Sequence, residues 1–206
     1  MAVELWLAFA AASAAMLAIP GPTVMLVVSY ALGQGRSSGW ATVPGVTLGD
    51  FTAMTVSLAG AGAVLAASAE LFTVLKLCGA AYLVWLGVKL WRAEPTPPGA
   101  LNLRHKGQGR AMFANAFAVT ALNPKSIVFF VAFVPQFVDP ASPALPQFVV
   151  LEATFLTLAA ANAALWAVLA GEMRQRFRKP AILRALNRTG AGFLIGAGVL
   201  TALARR

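Results

Sequence analysis

Apolar runs of roughly 20 residues recur along the whole of this chain, the length a helix needs to cross a lipid bilayer. Of its 206 residues 59% are hydrophobic and only 11% are charged, against about 25% charged in an ordinary soluble domain. In hydrocarbon every backbone polar group has to be satisfied within the protein, so only helices and closed barrels span. Runs of this length read as helices. The chain is therefore expected to be an all-α, polytopic membrane protein with almost no soluble portion.

Six segments emerge, at about 3–32, 39–67, 72–91, 111–138, 145–171 and 189–204. The polar stretch around 93–110, rich in Pro, Gly and basic residues, divides a single transmembrane domain into halves at about 1–92 and 111–206. The first 18 residues are apolar and small, as in a signal peptide, but carry Glu4 where a positive n-region belongs. They read as a retained first helix.

Two segments are broken at matching places, by Pro20-Gly21-Pro22 in the first and Asn123-Pro124-Lys125 in the fourth. Proline removes a backbone donor and clashes with the preceding turn. A membrane tolerates the freed groups only where they are buried in protein or line a cavity. Such breaks, paired across two halves, point to a transport site near the bilayer midplane. The half-helix beginning near Thr23 would turn its positive end toward a substrate carboxylate. The half-helix ahead of Pro20 would offer carbonyls to an ammonium. Asn123 both donates and accepts hydrogen bonds.

The halves also repeat. Gly79-Ala80-Ala81-Tyr82-Leu83-Val84-Trp85-Leu86-Gly87-Val88 matches Gly190-Ala191-Gly192-Phe193-Leu194-Ile195-Gly196-Ala197-Gly198-Val199, with five positions identical. Pro124 follows Pro22 by 102 residues, and the same step carries Asp50 onto Glu152. Three helices per half is an odd number, so the second copy enters from the opposite side as an inverted repeat, with helices 1 and 4 broken mid-membrane. Basic residues set the orientation. Arg36, then Arg92, Arg104, Lys106 and Arg110, then Arg174, Arg176, Arg178, Lys179, Arg184 and Arg188 follow the odd segments, and no Lys or Arg follows the second or fourth. Positive-inside bias places the odd loops in the cytoplasm and both termini outside.

Asp50 sits about 16 Å into segment two, near the midplane, where an acid costs about 3 kcal/mol on insertion scales. Lys125 and Glu152 add similar costs unless they face one another or a wet cavity. An internal ion pair holding the halves in register is the plainer explanation; a binding site is the sharper one. A carboxylate in an apolar cavity favours its neutral form, which makes proton antiport the natural coupling. Asn162 fits either a helix–helix hydrogen bond or a cavity residue. Gly45 and Gly49, like Gly192 and Gly196, have the spacing that lets helices pack closely. Trp40, Trp85, Trp91 and Trp166 suit interfacial anchors, and Cys78 suits a small packing residue.

Other classes find little support. The net charge of +9 is spread over short loops, so no nucleic acid is expected. His105 has no second His or Cys near it, which argues against a soft-metal site, and no phosphate-binding loop appears. Neither a cofactor nor an enzymatic activity is expected, Ser126 beside Lys125 being a weak dyad signal.

Ile19-Pro20-Gly21-Pro22, Gly49-Asp50, the run 75–83 ending at Gly87, and Asn123-Pro124-Lys125 through Phe133-Val134-Pro135-Gln136-Phe137 resemble the lysine exporter superfamily. The likeness is greatest to its homoserine/threonine efflux branch. It implies proton-motive-force-driven export of amino acids or related metabolites from the bacterial cytoplasm by a homo-oligomer, and the inverted repeat adds alternating access by rocking one half against the other. It maps the family's two motifs onto Pro20, Gly21, Pro22 and onto Asn123, Pro124, Lys125. Thr23 departs from the Asn or Asp that many relatives carry after the first motif. The expected substrate and proton site is thus Pro20, Gly21, Pro22, Thr23, Asp50, Asn123, Pro124, Lys125 and Glu152, with Asp50 and Glu152 for the substrate ammonium or the coupling proton and Lys125 and the amides after Pro22 for the carboxylate. An ion or metal exporter on the same architecture, and a non-transporting membrane subunit, are the alternatives.

Overall fold

The computed structural model describes residues 1–67, 69–92, 109–139, 141–172 and 180–203. Nearly all of the expected central loop lies outside the described residues, with basic positions Arg104, Lys106, Arg174, Arg176, Arg178 and Lys179. Every described element is helical.

The first segment forms α1 (Val3–Ala18) and α2 (Pro22–Gln34), bent by 53°. The fourth forms α5 (Gly109–Ala121) and α6 (Pro124–Val128), which continues as a π turn (Phe129–Phe133) and a 3-10 turn (Val134–Phe137); the bend here is 41°. Proline dictates both breaks. It pushes the residue before it out of the α region, and Ile19 (ψ 119°), Gly21 (ψ −171°) and Asn123 (ψ 110°) are all extended. Pro22 and Pro124 then begin the next half-helix, where a missing N–H does no harm. Further along, Pro135 has no N–H to return to Val131, which suits the widened π turn beside it.

Each bent pair is followed by a helix of 29 residues and then one of 24: α3 (Gly39–Ala67) and α4 (Ala69–Arg92), then α7 (Ala144–Glu172) and α8 (Pro180–Leu203). α8 begins at Pro180, nine residues before the expected 189. The sequence makes 174–188 a basic stretch ahead of the sixth segment, and of it residues 180–188 lie among the described ones. They are helical, because Arg184 and Arg188 lie one turn apart on an exposed face and a helix keeps such charges in water. By length and apolar composition Ala144–Ala170 qualifies alone as a membrane span, and the two bent pairs qualify as one span each, among the described residues.

α3 packs on α5 and α7, α2 on α7 and α5, α1 on α7, and α4 on α8. Gly45 and Gly49 make the α3–α5 contact possible. A Cβ on Gly45 would lie 2.5 Å from the Phe113 carbonyl, and one on Gly49 2.8 Å from that of Phe117. Gly192 and Gly196 differ, since nothing stands within 4 Å of an added Cβ. Trp40, Trp85 and Trp91 are exposed as anchors would be, whereas Trp166 is buried in the apolar cluster of α2. Cys78 is exposed rather than packed.

Among the described residues two apolar clusters form the interior. One gathers Val24, Val27, Tyr30, Ala163 and Ala167; the other gathers Phe9, Met54, Phe129, Phe130, Phe133 and Phe155. In the second, Phe129 stacks on Phe133 at 4.9 Å and Phe130 meets Phe155 edge-on at 4.9 Å, geometries the ring quadrupoles favour. Ser13 Oγ is buried there on the α1 face that also buries Phe9 and Met16, with no hydrogen-bond partner among the described residues. An unsatisfied buried hydroxyl costs about 1–3 kcal/mol. Ser13→Ala should therefore raise the unfolding temperature in detergent; a fall would show that the hydroxyl has a partner.

Candidate functional site

The two breaks face each other across a small cavity at the seam between the apolar clusters. Its lining includes Gly21, Thr23, Asp50, Asn123, Lys125 and Asn162, with about 20 Å³ of free space. That is room for about one water molecule.

The chemistry starts with carbonyls that the break deprives of their α-helical donors, Met16 O keeping only a long bond from the Ile19 N–H at 3.4 Å. In an unbroken helix Met16 would accept from the amide of residue 20, but Pro20 has none. Lys125 reaches across from α6 and donates from Nζ to Met16 O (3.2 Å) and Ile19 O (3.1 Å). Asn162 Nδ2 on α7 donates to Leu17 O at 3.1 Å. Asn162 is therefore both a helix–helix hydrogen bond and a cavity residue. Gly21 leaves the lysine its room: a Cβ there would lie 3.3 Å from Nζ.

The other break is treated reciprocally. Asn123 caps α6, its Oδ1 accepting from the Lys125 amide at 3.1 Å. Its Nδ2 donates to Thr23 Oγ1 (3.3 Å), as does the Thr120 hydroxyl (3.2 Å). Thr23 and Lys125 each follow the proline that starts a half-helix, and each reaches the end of the opposite broken helix. Above Thr23, Asn115 Nδ2 donates to the Tyr30 hydroxyl at 2.8 Å, tying α2 to α5 again.

Asp50 is 2% exposed and lines the same cavity from α3. The cavity is thus lined by one acidic and one basic side chain. Opposite charges sharing a small polar chamber offset part of the cost of placing either in a membrane. The start of α2 is open by contrast: Gly21 provides no side-chain cap, and Thr23 and Val24 line the cavity. The first amides of a helix lack intrahelical partners and favour anions.

The structure thus brings together Gly21, Thr23, Asp50, Asn123 and Lys125. It does not bring in Glu152, which is half-buried and accepts from Thr55 Oγ1 at 2.7 Å. Glu152 stands ten residues before Asn162 on the α7 helix, about 15 Å along its axis, so a straight helix cannot present both to one chamber. Pro22 and Pro124 are exposed and Pro20 half-buried, outside the lining. Their part is to break the helices. Sequence reasoning overlooked Thr120, Asn115 and Tyr30; the polar residues recurring at 115, 120 and 123 on an otherwise apolar segment were the available signal.

The sequence matches the family described as LysE type translocator over residues 14–205. The chain belongs to that family. It is 34% identical over 205 residues to an uncharacterized membrane protein of Vibrio cholerae, covering 100% of both chains. It is 31% identical over 208 residues to a homoserine/homoserine lactone efflux protein of Salmonella typhimurium, covering 100% of this chain and 99% of that one. A leucine efflux protein of Salmonella choleraesuis is 32% identical over 125 residues, 61% of this chain and 59% of its own. No solved structure matches.

Proposed function

We propose that this LysE-family membrane protein exports amino acids or closely related metabolites, as the names of its homoserine and leucine efflux relatives suggest. The observation that carries the reading is the meeting of two broken helices around Asp50, Lys125 and Asn123. Such a chamber offers a carboxylate and the carbonyls at the end of α1 to an ammonium, and the uncapped amides of α2 to a carboxylate. Lys125, expected from the sequence to take the substrate carboxylate, takes part instead at the ammonium end, through the carbonyls it holds.

The export is driven by the proton-motive force, with Asp50 as the group that exchanges substrate ammonium for a proton. The architecture we propose is six spans in two inverted three-helix repeats, at about 1–92 and 111–206. The repeated order of bent, 29-residue and 24-residue helices and the reciprocal contacts of Thr23 and Lys125 support it. Alternating access then comes from rocking one repeat against the other. The chain lies in the bacterial inner membrane as a homo-oligomer, basic odd-numbered loops in the cytoplasm and both termini outside.

Purified protein in proteoliposomes, given homoserine, threonine, leucine and lysine under an imposed proton gradient, tests the reading. Transport of at least one amino acid is expected, abolished by a protonophore, with the same compound raising thermal stability. Transport insensitive to the protonophore would remove proton coupling. Movement of metal ions in place of every amino acid would replace the substrate class.

A further inference from the structure

We infer that the Lys125 ammonium is a tethered stand-in for the substrate's own ammonium, and that cargo enters the site by displacing it. The inference rests on the export reading and names the chemistry that the site selects. Lys125 Nζ donates to the two carbonyls at the end of α1, Met16 O and Ile19 O, at 3.2 and 3.1 Å. The lysine is 7% exposed. With it in place only about 20 Å³ stays free, far less than an amino acid needs. The chamber is already occupied, by a primary ammonium that belongs to the protein.

Unpaired carbonyls inside a membrane are costly. An empty carrier therefore needs a partner for Ile19 O, and a closer one for Met16 O than the Ile19 N–H at 3.4 Å, while it changes orientation, and Lys125 provides both. A substrate ammonium brings the same three N–H donors to the same two acceptors, and the Asp50 carboxylate lines the same chamber to favour its charge. The exchange conserves charge and hydrogen bonds at the carbonyls, so it demands a cargo with N–H donors on its cationic nitrogen. A quaternary nitrogen has none. Free α-amino acids meet the demand and their N-trimethylated forms do not.

A tethered competitor leaves a signature that a structural lysine does not. Removing it should tighten substrate binding and slow net turnover together, because the empty carrier then returns with Ile19 O unpaired and Met16 O left to the long bond from the Ile19 N–H. The full-length protein and Lys125→Met are compared for binding of the amino acid transported in the panel above, of its N-trimethyl derivative, and of n-propylammonium. Expected are a Kd at least about tenfold lower in Lys125→Met and a net export rate at least about tenfold lower. Stabilisation by n-propylammonium should appear in the variant alone, and neither protein should respond to the N-trimethyl compound. If Lys125→Met does not fold, Lys125→Gln, whose amide keeps one carbonyl paired, enters the same measurements with the same expectations. Weaker substrate binding in the folded variant, or wild-type binding of the N-trimethyl compound, would overturn the inference. Absence of any amino-acid binding or transport by the wild type would instead overturn the export reading, and n-propylammonium would still report on the carbonyl cradle.

Discussion

Asp50→Asn is expected to reduce export by two orders of magnitude or more while the protein still inserts and folds. The amide has the shape of the carboxylate, so packing on α3 is preserved around a side chain only 2% exposed. What disappears is the negative charge in a chamber that also holds Lys125. The variant chamber carries a net positive charge and repels an ammonium. Two unit charges about 4 Å apart interact by about 4 kcal/mol at an effective dielectric near 20, and every 1.4 kcal/mol is about a factor of ten. Efflux from proteoliposomes is the measurement, with circular dichroism and monodispersity in detergent as the folding control. Unimpaired export by a folded Asp50→Asn protein would remove Asp50 from the mechanism.

The second large effect is expected from a methyl group at the α3–α5 contact. Gly45→Ala places a carbon 2.5 Å from the Phe113 carbonyl oxygen and 2.9 Å from Ala116 Cβ. Both obstacles belong to helical backbone or to its shortest side chain, so neither can rotate away. Overpacking of this kind costs about 1–3 kcal/mol, and the contact with backbone places Gly45→Ala at the upper end. Because α3 also carries Asp50, moving it off α5 pulls the carboxylate from the cavity as well. Thermal unfolding in detergent should show a clear loss of stability, and export should fall with it. Gly192→Ala is the matched control, since an added Cβ there meets nothing within 4 Å. Equal effects at both glycines would disprove close packing of α3 on α5.

Local chemistry made much of the fold readable. Proline cannot donate and restricts the residue ahead of it, so the interruptions at Pro20-Gly21-Pro22 and Asn123-Pro124 could be placed to within a residue or two. The expected second segment, 39–67, coincides with α3. The expected start of α8 differs from the observed one because the basic run suggests a loop, while an amphipathic helix accommodates Arg184 and Arg188 on its wet face. Trp166 was misjudged for a related reason. A tryptophan near a segment end fits an interface or a core, and only its neighbours in the α2 cluster distinguish them.

The candidate site divides in the same way. Asp50, Lys125 and Asn123 were legible because ionisable and amide groups in apolar helices need a reason to be there. Glu152 met that criterion and the repeat spacing too, yet its side chain pairs with Thr55 and not with the chamber. The hydrogen-bond partners were not legible at all. Nothing in the linear order says that Lys125 satisfies Met16 and Ile19, more than a hundred residues away in sequence, or that Asn162 satisfies Leu17.

From the order of residues alone came the class of molecule, the two interruptions and the charged side chains, because these follow from transfer free energies and from what proline does to its immediate neighbours. Which group answers which carbonyl, and how little room is left between them, was decided by tertiary packing. Freed backbone groups in a membrane must find partners somewhere, and the bend of each helix and the close approach allowed by Gly45 and Gly49 determine which ones are within reach.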